Sequence, residues 1–309
     1  MGFLQKIRRN AIIATGDFEQ IFGEFTLPPC PEVVLRLTEA VQDPDVFIDH
    51  VVQILETDPA LTSLILKTVS SAIYGLPGKV SSVSKAVSMI GLKEIENIAL
   101  GFALKSAIKD PGLEHFDFSI FWTDSLYRAL FAKYAANALD VEAEEAFAAG
   151  LLQDMAIPVL LTEWFDVYKP VYDKWSSSEQ SIHEVETQRL SWNHCQAAAW
   201  IAGQWGLPDL MVCCTGLHSA SLDEIRELEL HQTAVTPVAL SSVATQAFRS
   251  SEKARKLVLN CSEAGIKKDQ LFSILGDVEE QLENMAVTLD INPVERQSLV
   301  EIIEDAQEE

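Results

Sequence analysis

The chain has 309 residues, of which 48% are hydrophobic, and this proportion is enough to bury a sizeable core. Its 46 acidic residues outnumber its 23 basic residues, so the formal net charge is -23. A charge of this sign repels nucleic-acid phosphates and anionic lipid headgroups. We therefore expect a globular protein that binds neither nucleic acid nor a membrane surface.

The cysteine spacing favours a reducing compartment, and the apolar segments argue against a signal peptide and a membrane span. The five cysteines are scattered and show no Cys-x-x-Cys spacing. Near the N-terminus, no apolar run of signal-peptide length precedes Asp17 and Glu19. The most apolar internal stretch, Ala146–Leu161, contains polar residues and is shorter than the ~20 residues that span a bilayer. We expect a cytoplasmic protein without a membrane segment.

The first predicted elements are helices with recognisable start signals. Residues 1–22 are predicted to form an N-terminal arm or a first helix. Pro31 begins an apolar-periodic segment, and Asp58 is placed to cap a second helix that has a proline at its first position. Gly75 is expected to end that helix, because glycine readily adopts the left-handed conformation that follows helix ends.

The next two predicted helices have the outline of a helix-turn-helix. Ser82 is placed to cap the first, Val83–Ile90, and Leu92–Leu104 follows after one glycine. A DNA recognition helix needs hydrogen-bond donors for phosphates and base edges. The outward candidates on the second helix, which include Glu94 and Glu96, are net acidic. We therefore predict a plain helical hairpin.

Two long amphipathic helices are predicted next, over Phe121–Leu139 and Glu144–Leu161. Pro158 is predicted to kink or break the second of them, because a proline removes a backbone donor and clashes with the preceding turn. Ser181 and Glu184 have the spacing of a capping box, which predicts that a further helix begins there.

The last part of the chain is also predicted to be helical. Helices are expected from His194 to Trp205 and over 209–220, which includes His218. An acidic loop over Asp223–Glu229 then precedes further helices at Val235–Arg249, Ser251–Ala264, Asp269–Thr288 and Pro293–Ala306. The sequence lacks alternating β-branched runs bounded by tight turns, so we predict an all-α fold.

Short motifs occur in order along residues 23–220. They are Leu27-Pro28-Pro29-Cys30-Pro31-Glu32, Thr57-Asp58-Pro59-Ala60-Leu61, Ser71-Ala72-Ile73-Tyr74-Gly75-Leu76-Pro77, Ile90-Gly91-Leu92, Ala146-Phe147-Ala148-Ala149-Gly150-Leu151-Leu152 and Trp205-Gly206-Leu207-Pro208. This series closely resembles the HDOD family, the HD-related output domains. The resemblance implies an all-helical, HD-like bacterial domain over 23–220, with an N-terminal helical subdomain, that lacks hydrolase activity and serves in signalling. Residues 221–309 would form an acidic C-terminal helical extension.

The resemblance also implies a changed metal site. HD hydrolases carry an adjacent His-Asp pair among their metal ligands, and the four matching positions here are Asp124, Gln153, Asp154 and Thr245, of which only Asp154 is retained. An amide oxygen is a weaker ligand for a divalent transition metal than an imidazole nitrogen. We therefore expect no catalytic residue, no bound metal and no cofactor. The alternative is that the two carboxylates hold a hard cation such as Mg²⁺.

His194 and His218 match family positions related to additional metal-ligand histidines of HD enzymes. Each is predicted at a helix end beside apolar residues, where a histidine most often satisfies backbone groups, so a structural role is favoured. Acid–base or nucleophilic catalysis is the alternative. Cys213-Cys214 is predicted to pack in a core rather than act as a redox switch. The sequence contains no GxSxG motif and no complete phosphate-binding loop.

The leading functional hypothesis is a non-catalytic signal-transduction scaffold that binds another signalling protein. The acidic helical surface suggests that this partner presents a basic surface. One alternative is a residual metal-dependent phosphohydrolase, and another is a sensor that holds a nucleotide in the former metal cleft. If the matching to HD positions is right, Asp124, Gln153, Asp154 and Thr245 should converge in one pocket between helices.

Overall fold

Every regular element that the structure describes is an α-helix. The computed structural model describes Ile7, Ala11 and residues 29–41, 43, 45–70, 80–178, 180–289 and 291–308. The predicted all-α fold is therefore confirmed. The predicted arm over 1–22, apart from Ile7 and Ala11, and the helix stop at Gly75 lie outside the described residues.

The N-terminal helices begin where local capping predicts. They are α1 (Glu32–Val41), α2 (Ile48–Leu55), α3 (Pro59–Val69), α4 (Val83–Ile90) and α5 (Leu92–Ala107). Asp58 Oδ1 accepts hydrogen bonds from Ala60 N at 2.9 Å and Leu61 N at 3.0 Å, and Ser82 Oγ accepts one from Lys85 N at 3.2 Å. These bonds satisfy backbone donors that have no partner within the first turn of a helix.

The central helices surround the candidate site. They are α6 (Phe118–Leu139), α7 (Ala143–Leu152), α8 (Ala156–Glu163), α9 (Phe165–Ser176), α10 (Ile182–Leu190), α11 (His194–Gln204) and α12 (Asp209–Leu217). The predicted helix Glu144–Leu161 is indeed broken, at residues 153–155, which include the residue whose carbonyl Pro158 would otherwise meet in a continuous helix. Pro158 lies in the first turn of α8, where its missing N–H is not needed.

Two predictions for the C-terminal part were wrong. The helices there are α13 (Leu222–Glu227), α14 (Val235–Ala247), α15 (Ser251–Ala264), α16 (Lys268–Thr288) and α17 (Leu299–Glu308). The expected acidic loop is largely helix α13, because Ser221 and Glu224 form a capping box. Residues 293–298, expected to be helical, are irregular. Their backbone and side chains contact α6 instead, through Val294 N to Thr123 Oγ1 at 3.0 Å and through Arg296 to Asp124.

Helix α6 lies at the centre of the core and packs against α7, α14 and α16. Its side chains are buried on most of its circumference, as expected for a helix that is apolar all round. At Gly150, α7 approaches α6 so closely that a Cβ atom would lie 2.9 Å from Arg128 O and 3.0 Å from Ala129 Cα. Backbone atoms cannot move aside as a flexible side chain can, so only glycine fits. This approach brings the turn after α7, which carries Asp154, beside Arg128.

One apolar stretch of the chain is long enough to cross a membrane and is mostly buried. The stretch Ala143–Glu163 is long and apolar enough to cross a membrane, but 83% of its apolar window is buried inside the protein. It comprises α7, the turn at 153–155 and α8. Burial of this kind is a property of a core helix pair.

Candidate functional site

A cavity of about 560 Å³ opens at the turn between α7 and α8. Asp124 and Arg128 reach it from α6, Asp154 from the turn, and Thr245 from α14. Gln153 is fully buried beneath the cavity wall. The structure thus brings three of the four predicted positions to the wall, and the fourth contacts Arg128 from below.

A single guanidinium contacts three of these four positions. Arg128 Nη1 lies 3.0 Å from Asp154 Oδ2 and donates to Thr245 Oγ1 at 3.4 Å. When the amide of Gln153 is oriented to satisfy both of its ends, its oxygen accepts from Arg128 Nε at 2.8 Å. The fourth position, Asp124, pairs with Arg296. We call these six residues the arginine cluster: Asp124, Arg128, Gln153, Asp154, Thr245 and Arg296.

Both carboxylates of the arginine cluster titrate away from their usual range. Burial raises the pKa of Asp124, and the neighbouring Arg128 and Arg296 oppose this rise. Burial alone would also raise the pKa of Asp154, but Arg128 and hydrogen bonds from two histidines hold it well below its usual value. Asp154 is therefore a carboxylate across the physiological range. The residues of this cluster do not fit an HD-type metal centre, since arginines already satisfy the carboxylates.

Two buried histidines face the other oxygen of Asp154. His194 is the first residue of α11 and His218 follows the last residue of α12. Their Nε2 atoms lie 3.1 Å apart, and Asp154 Oδ1 lies 3.4 Å from that of His194 and 3.1 Å from that of His218. His194 and His218, for which the sequence favoured structural roles at helix ends, thus meet at the retained Asp154.

The second nitrogen of each ring has its own partner. His194 Nδ1 lies 2.6 Å from Glu186 Oε2, which also accepts from the His194 backbone N–H at 3.0 Å. Glu186 is fully buried on α10, and its other oxygen accepts from the Tyr168 hydroxyl. His218 Nδ1 donates to the Thr215 carbonyl at 2.7 Å. Only His218 satisfies a backbone carbonyl through its ring; His194 uses a carboxylate.

A buried thiol completes this group. Cys195 Sγ lies 3.7 Å from His194 Nε2 and 3.5 Å from His218 Nε2. Burial would raise the pKa of the thiol, but the two imidazoles lower it to about 5. Burial would lower the pKa of His218, but Cys195 and Asp154 raise it to about 9. We call Asp154, Glu186, His194, Cys195 and His218 the histidine cluster.

Local sequence positions the histidine cluster. Asn193 and Gln196 form a capping box at the start of α11, with Asn193 Oδ1 accepting from Gln196 N at 3.1 Å and Gln196 Oε1 accepting from Asn193 N at 3.2 Å. This cap holds His194 and Cys195 in the first helical turn. The His194 backbone N–H then donates to the Glu186 carboxylate. A negative charge is favoured at this position because it lies at the N-terminus of a helix.

Sequence reasoning missed most of the residues that satisfy the site. Arg128 lies four residues after Asp124 on α6, a spacing that places both on one helix face and could have identified it. Cys195 adjoins His194, which was a weaker signal. Glu186 and Arg296 gave none, because they lie 8 and 172 residues from the groups they contact.

The far wall of the cavity is basic and aromatic. Arg249, Lys253 and His183 line it together with Trp175. The Arg249 Cζ atom lies 4.7 Å from the centroid of the Trp175 ring, and the buried indole N–H of Trp175 has no hydrogen-bond partner among the described residues. Arg249 and Lys253 thus place two cations in one cavity of a protein whose net charge is -23.

Comparison with known proteins places this fold. A sequence model described as the HDOD domain matches residues 27–221. The chain is similar to the structure of an HDOD domain protein of unknown function from Geobacter sulfurreducens, with a TM-score of 0.72, 19% identity, and coverage of 93% of this chain and 98% of that chain. A structure named as a candidate phosphohydrolase from Shewanella amazonensis has a TM-score of 0.66 and 19% identity, and covers 94% of this chain and 98% of its own.

Two further relatives are longer than this chain. The structure named as a candidate signal transduction protein from Marinobacter aquaeolei has a TM-score of 0.67 and 21% identity, over 94% of this chain and 67% of its own. An uncharacterized protein from Treponema pallidum is 22% identical over 194 residues, which are 62% of this chain. The match spans only 37% of that relative's length. Identities this low show a common fold and do not carry an activity from one protein to another.

Proposed function

Because the family match over residues 27–221 means that this chain belongs to the HDOD family, as its motifs predicted, we propose that it is a non-catalytic signal-transduction domain that binds another protein. The observation that carries this proposal is the arginine cluster. All four positions that match metal-binding positions of HD hydrolases contact Arg128 or Arg296.

The arginine cluster supports the absence of hydrolysis on chemical grounds. Hydrolytic metal centres need several strong ligands and an open coordination position for water. Here Arg128 brings a permanent positive charge to Asp154 Oδ2, and Arg296 does the same for Asp124. The arginines thus balance charge at partly buried carboxylates that would otherwise be available as metal ligands.

The surface supports a protein partner that presents basic residues. Asp277, Glu280 and Glu283 are exposed on α16, and Glu301 and Glu304 are exposed on α17. A concentrated negative surface accelerates encounter with a positively charged partner and repels other acidic proteins. We propose that the partner is a bacterial signalling protein and that the complex forms in the cytoplasm.

The absence of hydrolysis can be tested directly. The purified chain would be incubated with phosphomonoesters, nucleotides and cyclic dinucleotides in the presence of Mn²⁺, Fe²⁺, Mg²⁺ or Zn²⁺. We expect the wild-type chain to show no metal-dependent turnover that is lost in the Asp154→Asn variant. Metal-dependent turnover that disappears in Asp154→Asn would overturn the proposal in favour of a residual phosphohydrolase.

The interaction can be tested by charge reversal. A partner captured from the native cell would be purified, and its affinity for the chain measured with and without Asp277→Lys, Glu280→Lys and Glu283→Lys. We expect the triple variant to bind more weakly and with a reduced dependence on salt. Glu39→Lys with Glu56→Lys, which changes exposed acids on the N-terminal helices, is the control. Equal affinity of all variants would exclude the α16 surface.

A ligand sensor is a second candidate, favoured by the basic aromatic wall of the cavity. Arg249 and Lys253 suit phosphate groups, and Trp175 suits a stacked ring, so a nucleotide fits this chemistry. Isothermal titration calorimetry with nucleotides and cyclic dinucleotides tests it, and Arg249→Gln is expected to weaken any binding. Heats that are indistinguishable from dilution for every ligand would eliminate this candidate.

A further inference from the structure

We propose that His194 Nε2, Cys195 Sγ and His218 Nε2, which lie within 4.8 Å of one another, bind one divalent transition-metal ion of the zinc class beside the Asp154 carboxylate. The site differs from the arginine cluster, with which it shares only Asp154. It rests on the geometry of the histidine cluster and is independent of the signalling role.

The first argument is the orientation of the imidazole rings. Glu186 Oε2 and the Thr215 carbonyl can only accept hydrogen bonds, so the Nδ1 atom of each neutral ring carries the proton. In the neutral rings each Nε2 carries a lone pair. The two Nε2 atoms lie 3.1 Å apart and also face a carboxylate oxygen, so positive charge must lie between them, either as protons in the metal-free protein or as a metal ion that displaces those protons. Glu186 is the kind of second partner that orients metal-bound histidines in proteins.

The second argument is the set of distances between the donor atoms. In a tetrahedral zinc site with metal–nitrogen distances of about 2.05 Å and metal–sulfur distances of about 2.3 Å, two nitrogens lie about 3.3 Å apart, and nitrogen and sulfur about 3.6 Å apart. The two Nε2 atoms here are 3.1 Å apart, and Cys195 Sγ lies 3.7 and 3.5 Å from them. Asp154 Oδ1 lies 3.4 and 3.1 Å from the same nitrogens. The two nitrogens and the sulfur are therefore spaced like three corners of a coordination tetrahedron, and the Asp154 carboxylate lies beside the nitrogens.

The third argument is chemical matching. Two imidazoles and a thiolate favour zinc or cobalt over magnesium or calcium, which prefer oxygen ligands. One carboxylate and one thiolate neutralise a divalent ion, while Arg128 balances Glu186 within the same buried region. The ligands come from the start of α11 and the end of α12, so the ion would tie these two helices together beside the α7–α8 turn as a structural centre.

Cobalt substitution gives the sharpest test, because tetrahedral Co²⁺ has visible d–d bands and thiolate-bound Co²⁺ adds a charge-transfer band in the near ultraviolet. The full chain would be stripped with a chelator, loaded with Co²⁺ and desalted. We expect about one equivalent of metal per chain and both spectral features. In Cys195→Ser the charge-transfer band should disappear. Cys261→Ser changes another buried cysteine, on α15, and should retain both features.

A second variant tests the site without removing a ligand. Glu186→Gln is expected to weaken Co²⁺ binding roughly 10- to 100-fold, measured by competition with a chelator, because it removes the carboxylate that orients His194. Far-ultraviolet circular dichroism would verify that each variant is folded. Three results would overturn the proposal: a desalted wild-type chain without d–d bands, as expected if only a proton links the two rings; a charge-transfer band that persists in Cys195→Ser; or an affinity unchanged in Glu186→Gln.

Discussion

The two oxygens of Asp154 have different partners, which define an arginine side and a histidine side of this carboxylate. On the arginine side, Asp154 Oδ2 accepts from a guanidinium, and every ligand-like position already has a cationic partner. On the histidine side, Asp154 Oδ1 faces two imidazole nitrogens, and the Cys195 thiol lies beside those nitrogens. The comparison teaches that one carboxylate can serve two different kinds of site. One side is a set of ion pairs, and the other brings two imidazoles and a thiol within 4.8 Å of one another.

The largest effect is expected from removing the charge that balances the arginine side. Arg128→Met keeps much of the side-chain volume but leaves Asp154 without its guanidinium, and breaking a buried pair in this way costs about 3–5 kcal/mol. Urea denaturation would measure the loss. Arg226→Met removes an exposed arginine paired with Asp223 and Glu263 and should change stability little. A small loss in Arg128→Met would show that Asp154 does not need this partner.

A smaller loss is expected where α7 meets α6. Gly150→Ala places a Cβ atom 2.9 Å from Arg128 O, and the resulting overpacking should cost about 1–3 kcal/mol. The same denaturation experiment applies. Gly276→Ala, in the middle of α16, meets nothing within 4 Å and should stabilise the protein by about 0.5–1 kcal/mol. Equal effects in both variants would contradict the close approach of the two helices.

The pH dependence of stability should distinguish Asp154 from a carboxylate outside the cluster. Because the pKa of Asp154 is lowered in the folded state, its contribution is present above its unfolded pKa of about 3.9 and is lost as the pH falls through the acid range. In chelator-treated protein, Asp154→Asn should therefore flatten the decline in stability below about pH 5, by at most about 1.4 kcal/mol per pH unit.

Glu96 is the matched control for this experiment. Burial raises the pKa of Glu96, against the opposing effect of Lys93, so its ionisation destabilises the folded state as the pH rises through the acid range. Glu96→Gln should therefore change the slope in the direction opposite to Asp154→Asn. Urea midpoints between pH 3 and pH 6 provide the measurement, with those limits set around carboxyl pKa values of about 4. Parallel curves for the two variants would contradict the assigned directions.

The smallest effect is expected from the cap that positions the histidine side. Asn193→Ala removes the side-chain acceptor at the start of α11 and should cost about 1 kcal/mol. It should also weaken Co²⁺ binding, because His194 and Cys195 lie in the first turn of that helix. Asp58→Ala removes a comparable cap on α3 and should lower stability similarly without affecting the metal. Equal metal affinity in both variants would separate the cap from the site.

Features that depend on a few neighbouring residues were predictable. The caps at Asp58, Ser82 and Ser181 were all confirmed, because each involves hydrogen bonds within three residues of the cap. The acidic segment after Ser221 is helical because of a local capping box that the prediction overlooked, whereas the other wrong prediction came where tertiary contacts override local signals. Residues 293–298 are irregular, and Val294 N and Arg296 bond to α6 rather than to a helical turn of their own.

The sequence by itself determined the helical content, the family and the positions that match the HD ligands. Local hydrogen bonding and ordered motifs specify these features without knowledge of the fold. Only the tertiary structure decided how each position is used. Arg128, Asp154, Thr245 and Arg296 come from separate parts of the chain, and a charge finds its partner through space rather than along the sequence. For the same reason, His194 and His218 became one cluster only when α11 and α12 packed against the turn that carries Asp154.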